Sequence, residues 1–97
     1  MYARVVIGRL RTDTPDRALT VLERAARPHV SARPGFRGWE LLVASASGQF
    51  QAITRWASRV EAEGAARDGF TDRADMLAGL LEGGLTQAVF ESVASHA

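Results

Sequence analysis

From Tyr2 to Arg11 the apolar residues crowd together without a helical period: Val5, Val6 and Ile7 are β-branched, and Ala3, Val5 and Ile7 alternate with Arg4, Val6 and Gly8. β-Branched side chains favour extended backbone, so a first strand is predicted. Both of its faces are largely apolar, which places it inside a sheet with material packed on each side. Thr12-Asp13-Thr14-Pro15 then carries a helix start. Thr14 caps free N–H groups, and Pro15 takes the first helical position, where its missing donor costs nothing. The predicted helix runs to about Ala32, with Leu19, Leu22, Ala26 and His29 beside Val30 as its buried stripe. Pro28 removes one backbone hydrogen bond and predicts a kink near His29. Arg33-Pro34-Gly35-Phe36 ends the helix, and Phe36 returns to the core.

Gly38 to Ala44 and Gln49 to Trp56 read as two strands joined by the small polar segment Ser45-Ala46-Ser47-Gly48, a hairpin signal. Ser58-Arg59-Val60-Glu61 matches a capping box, so a second helix starts there. Gly69-Phe70 predicts a break, with Thr71 capping a further helical piece along Ala74, Leu77, Ala78 and Leu81 until Gly83-Gly84 stops it. Leu85 to Val93 reads as a fourth strand. The order is β-α-β-β-α-β, which predicts a ferredoxin-like α+β fold with a four-stranded antiparallel sheet.

Composition adds a limit. The 97 residues, 46% hydrophobic and 24% charged, make one domain spanning residues 1–97 with a thin core and no linker. There is no cysteine, so disulfides are excluded and a second copy of the chain is the expected external support. Twelve basic and eleven acidic residues nearly cancel, which argues against nucleic acid as a partner. The element order is shared with RNA-recognition modules, yet Ser47 to Ile53 lacks their basic start and second aromatic. No apolar run reaches the roughly 20 residues of a membrane span, and MYARVVIGRL enters strand-like sequence directly, so a cytoplasmic protein is expected. His29 and His96 are far apart in the chain, no ligand spacing is present, and no G-x-G-x-x-G, P-loop or G-x-S-x-G occurs. No metal and no cofactor are expected.

Pro34-Gly35-Phe36-x-Gly38-x-x-Leu41-Leu42, the Gly48 turn, and Ile53-Thr54-x-Trp56-x-Ser58 running into an acidic helix together resemble the antibiotic biosynthesis monooxygenase domain. The resemblance extends from Ala3 to Val93. It implies a homodimeric α+β barrel, with helices on one sheet face and the partner's sheet on the other. Relatives in this family include oxygenases that convert acidic aromatic polyketides to quinones without metal or flavin, and haem-degrading enzymes. The haem-degrading members carry an asparagine, a tryptophan and a histidine where this chain has Ile7, about Ala65 and about Ala74, so haem breakdown is disfavoured. The quinone-forming members place an asparagine and a tyrosine around the tryptophan, where Ala52 and Ala62 stand here.

By the same resemblance, a substrate pocket is expected near Val5, Ile7, Phe36, Ala52, Thr54, Trp56 and Met76. His29 is the candidate general base, its reference pKa of about 6.5 suiting proton transfer near neutrality. A partly buried histidine bonded to a carbonyl freed by Pro28 is the structural alternative. Trp39 and Trp56 can stack on a flat ligand or simply pack. Arg4, Arg9, Arg11 and Arg55 are candidate anion holders, expected at the surface or rim. Two functions follow: a cofactor-independent monooxygenase of a small, apolar, acidic aromatic substrate, or a non-catalytic dimer that binds an apolar metabolite.

Overall fold

The computed structural model describes residues 1–11, 19–44, 46–76 and 79–96, with side chains described outside 68–76. Strand β1 (Tyr2–Arg9) is followed by helix α1 (residues 19–31), the hairpin β2 (Phe36–Ala44) and β3 (Gln49–Trp56), helix α2 (Arg59–Met76) and strand β4 (Thr86–Glu91). The strands form one antiparallel sheet in the order β2-β3-β1-β4. The predicted element order holds, and β1 lies inside the sheet as its two apolar faces required. The strand expected from Leu85 to Val93 is shorter because its neighbour runs out: Glu91 pairs with Tyr2, the first residue of β1.

Both helices pack on one face, over two apolar clusters. Leu22 and Ala26 of α1 join Leu10 and Phe50 at one end. Val30 of α1 and Ala62 and Ala65 of α2 surround Trp56 at the other, where Phe36 meets the Trp56 ring edge-on with centroids 5.7 Å apart. The alanines matter for closeness: their methyl groups let α2 lie directly over the indole. A bulge between Phe36 and Gly38 turns both Phe36 and Trp39 toward the helices.

Helix α1 departs from a regular helix where proline predicted trouble. Leu22–Ala26 form a π-helical turn closed by the Arg27 N–H on the Leu22 carbonyl, and an α-helical turn, Arg27–Ser31, follows with Pro28 near its start. A proline ring collides with the carbonyl four residues earlier, and a wider i→i+5 turn relieves that collision. The added residue rotates the later face. Val30 is therefore buried while His29 is exposed, which corrects the sequence's placement of His29 on the buried stripe. The helix start at Thr12 to Pro15 lies outside the described residues.

Helix α2 begins at the predicted cap. The Glu61 N–H donates to Ser58 Oγ at 3.2 Å, and that hydroxyl donates to Glu61 Oε1 at 2.9 Å. The glutamate thus returns to the serine side chain rather than to its backbone. The predicted break at Gly69-Phe70 is absent, for α2 continues to Met76. One interior glycine costs about 1 kcal/mol, less than nucleating a second helix.

Candidate functional site

Strand alternation decides what faces the helices. Arg4, Val6 and Gly8 of β1 stand opposite Thr54, Ala52 and Phe50 of β3, and all six are buried. Five of these six, Arg4, Val6, Phe50, Ala52 and Thr54, enclose a cleft together with Leu22 of α1, Trp39 of β2 and Leu85 ahead of β4. Gly8 makes this wall possible. A Cβ at that position would stand 2.7 Å from Leu85 Cδ2 and 2.8 Å from Phe50 Cε1, so only glycine lets both side chains close over β1.

Two polar side chains sit in this otherwise apolar lining. Arg4 is 1% exposed and Thr54 2%. They are direct cross-strand partners, so their side chains rise side by side between the two apolar clusters. Each is held by a second group. Arg4 Nε donates to Gln87 Oε1 at 2.8 Å, and Gln87 Nε2 donates to the Ala66 carbonyl of α2 at 3.3 Å. Trp56 Nε1 donates to Thr54 Oγ1 at 2.8 Å. Because that oxygen accepts from the indole, the Thr54 hydroxyl proton is left to act as a donor. A buried charge is expensive to keep and survives only with such support.

The outer wall is tied across elements as well. Trp39 Nε1 donates to Glu23 Oε1 at 2.9 Å, and Glu23 Oε2 lies 3.2 Å from Arg27 Nε. These contacts join β2 to the π-helical turn of α1. As closed, the cleft leaves about 10 Å³ for the centre of a water molecule, enough for about one. A planar ring does not fit within this volume.

Of the expected pocket residues, Ala52 and Thr54 line the cleft and Trp56 lies behind it, bonded to Thr54. Phe36 packs on Trp56 outside the lining. Val5 and Ile7 are corrected: their side chains alternate to the opposite sheet face, beside Ile53, Ala88 and Gln51. His29 is exposed on α1 and lines none of the cavities found among the described residues. The Met76 side chain lies outside the described residues. Arg4, expected at a surface or rim, is instead buried at the centre. Its signal in the sequence was parity, since it shares a strand face with Val6, Gly8 and Leu10.

The other sheet face carries Val5, Ile7, Ile53, Leu42, Ala88 and Phe90, with Leu42 44% and Phe90 55% exposed. A hollow of about 530 Å³ lies at its Tyr2 end, between Arg55, Phe90, Glu91, Ser92, Ala94 and Ser95. Among the described residues no group of three His, Cys, Asp or Glu side chains is placed to hold a metal ion, and no helix is long and apolar enough to cross a membrane.

An antiparallel β2-β3-β1-β4 sheet with two helices on one face and a cleft between the layers defines a ferredoxin-like α+β domain. In detail it is the fold of the antibiotic biosynthesis monooxygenase proteins, the family its sequence resembles. One solved antibiotic biosynthesis monooxygenase superposes with a TM-score of 0.73 at 19% identity, covering 97% of this chain and 100% of that one. SnoaB, a cofactor-independent oxygenase from Streptomyces nogalater, gives 0.76 at 21% identity over 97% of this chain and 94% of its own. A monooxygenase from the gene ActVA-Orf6 of Streptomyces coelicolor, solved in complex with nanaomycin D, gives 0.72 at 11% identity, covering 99% and 90%. No family model and no curated protein matches the chain.

Proposed function

We propose that this chain is a cofactor-independent monooxygenase of a small, apolar, acidic aromatic substrate, acting as a cytoplasmic homodimer. The observation that carries the proposal is the buried, mostly apolar cleft between helices and sheet, in a fold shared with the cofactor-independent oxygenase SnoaB. Such a cleft orients a flat ring and strips its water, leaving oxygen to react with the substrate's own anion. For an anthrone, the methylene carbon becomes a carbonyl: one oxygen atom of O₂ enters the product, and the other leaves as water with the two methylene hydrogens. The apolar outer face, with Val5, Ile7, Ile53 and Phe90, supports the dimer, which would cover it.

Pocket roles in this proposal fall to Ala52, Thr54 and Trp56, while Val5 and Ile7 serve the dimer face. His29 takes no part, being exposed and outside the cleft. The second reading, a dimer that binds an apolar metabolite without turnover, is favoured by the plain methyl groups of Ala52, Ala62 and Ala65 and by the lack of a described carboxylate or imidazole in the cleft lining. Oxygen uptake decides between them. With an anthrone or a dihydroxyanthracene and chelator present, the oxygenase accelerates uptake above the uncatalysed rate. A protein that binds the compound yet leaves the background rate unchanged is the binding domain instead.

A further inference from the structure

We infer that the Trp39 indole is a gate standing in the place of the ligand's own ring, and that Glu23, which holds it shut, accepts a hydrogen bond from the ligand once the indole has turned out. The inference rests on the proposed function for the class of ligand, a flat aromatic, but not for any reaction. Three observations carry it. Trp39 lines the cleft yet is only half-buried, so its indole is the boundary between cleft and solvent. Its strand, β2, is an edge of the sheet, so the ring turns outward without displacing another strand. Its N–H donates to Glu23 Oε1 at 2.9 Å, and the side chains of that glutamate and its partner Arg27 are 46% and 50% exposed.

A latch of that kind holds but releases. Water competes for a half-exposed carboxylate, and an exposed ion pair one helical turn apart adds little. Closed, the cleft has room for about one water molecule. When the indole turns out, the cleft gains the slot the indole filled, a flat, two-ring space walled by Leu22 and continuous with Phe50, Ala52 and Thr54. What leaves is a planar aromatic ring with a donor at its edge, and what fits is another. Glu23, released by the indole N–H, meets the incoming ring at the same edge and accepts from an O–H or N–H there, which restores a charge-assisted hydrogen bond. A ring without such a donor leaves that oxygen unmatched, so a hydroxylated ring is favoured over its ether. The π-helical turn Leu22–Ala26 thus carries both a wall of the slot, Leu22, and its acceptor, Glu23.

The test uses 2-hydroxyanthraquinone and 2-methoxyanthraquinone, mixed with the protein by stopped flow below the hydroxy dye's pKa, where its O–H is intact. The wild-type protein binds the hydroxy dye about tenfold tighter than the ether. Trp39→Ala raises the association rate constant and the affinity for both dyes about tenfold, a ratio that reports the fraction of wild-type protein with the gate open. It keeps the preference for the hydroxy dye. Glu23→Leu also raises both association rates but loses the preference, and Glu23→Gln, which retains an oxygen acceptor, keeps part of it. A merely structural role would not separate rate from preference. A folded Trp39→Ala protein whose rates and affinities stay at or below those of wild type overturns the gate, and a preference that survives Glu23→Leu overturns the acceptor. Should Trp39→Ala not fold, Trp39→Phe, which lacks the N–H but keeps a flat side chain, decides by raised or unchanged association rates. Absence of dye binding by wild type and variants alike overturns this inference together with the cleft as the ligand site. Gated dye binding without oxygen uptake from an anthrone rejects the oxygenase and leaves the gate standing.

Discussion

The two faces of the sheet are built from the same strands, yet they solve opposite problems. Toward the helices, Val6, Phe50, Ala52 and Trp56 are buried around one charged and one hydroxylated side chain, each held by a further hydrogen bond. On the other side, Val5, Ile7, Ile53, Leu42 and Phe90 lie among the polar side chains of Gln51, Thr86 and the half-exposed Glu40–Arg55 pair, whose N···O distance is 3.3 Å. An apolar face left open suits contact with another protein surface, whereas the covered face encloses the cleft under the helices. The difference turns on a one-residue step along β1, from Arg4 to Val5.

Substitutions of graded size separate the faces. Trp56→Ala should cost the most, about 3–5 kcal/mol, because it empties the centre of one cluster; a large fall in denaturation midpoint with little change in m-value would register it. Gly35→Ala comes next. Gly35 has φ +82°, and a Cβ there meets the Glu61 carboxylate beneath the α2 cap. Left-handed backbone alone costs a residue with a Cβ about 1–2 kcal/mol, and displacing Glu61 weakens the Ser58 cap as well. On the outer face, Phe90→Asp should alter the stability of the isolated subunit by no more than about 0.5 kcal/mol, as an exposed position allows, while sedimentation shows self-association lost. A Phe90→Asp protein that stays dimeric would break the division of labour between the faces.

Much of this architecture was legible in the sequence. The β2–β3 hairpin, the Ser58 cap and the interior place of β1 follow from alternation, turn residues and a capping pattern that depend on neighbours in the chain. The site was harder to read. Val5 and Ile7 were expected in the pocket from the family resemblance, and Arg4 at the surface because it is charged; which parity faces the helices depends on the β1–β3 register, a relation between distant segments. His29 was misplaced for a related reason. Pro28 signals a disturbed helix, but not that a π-helical turn ahead of it adds the residue that carries Val30 inward.

The most direct measurement of the central claim, that the helix-side cleft is the ligand site, is an NMR titration of the labelled protein with 2-hydroxyanthraquinone. The account predicts that the Arg4 Nε–H and the Trp39 and Trp56 indole N–H signals shift together in proportion to bound dye, with the Val5, Ile7 and Ile53 methyl signals little changed. Saturable shifts confined to Val5, Ile7, Ile53 and Phe90, with both indoles and Arg4 unmoved, would contradict it.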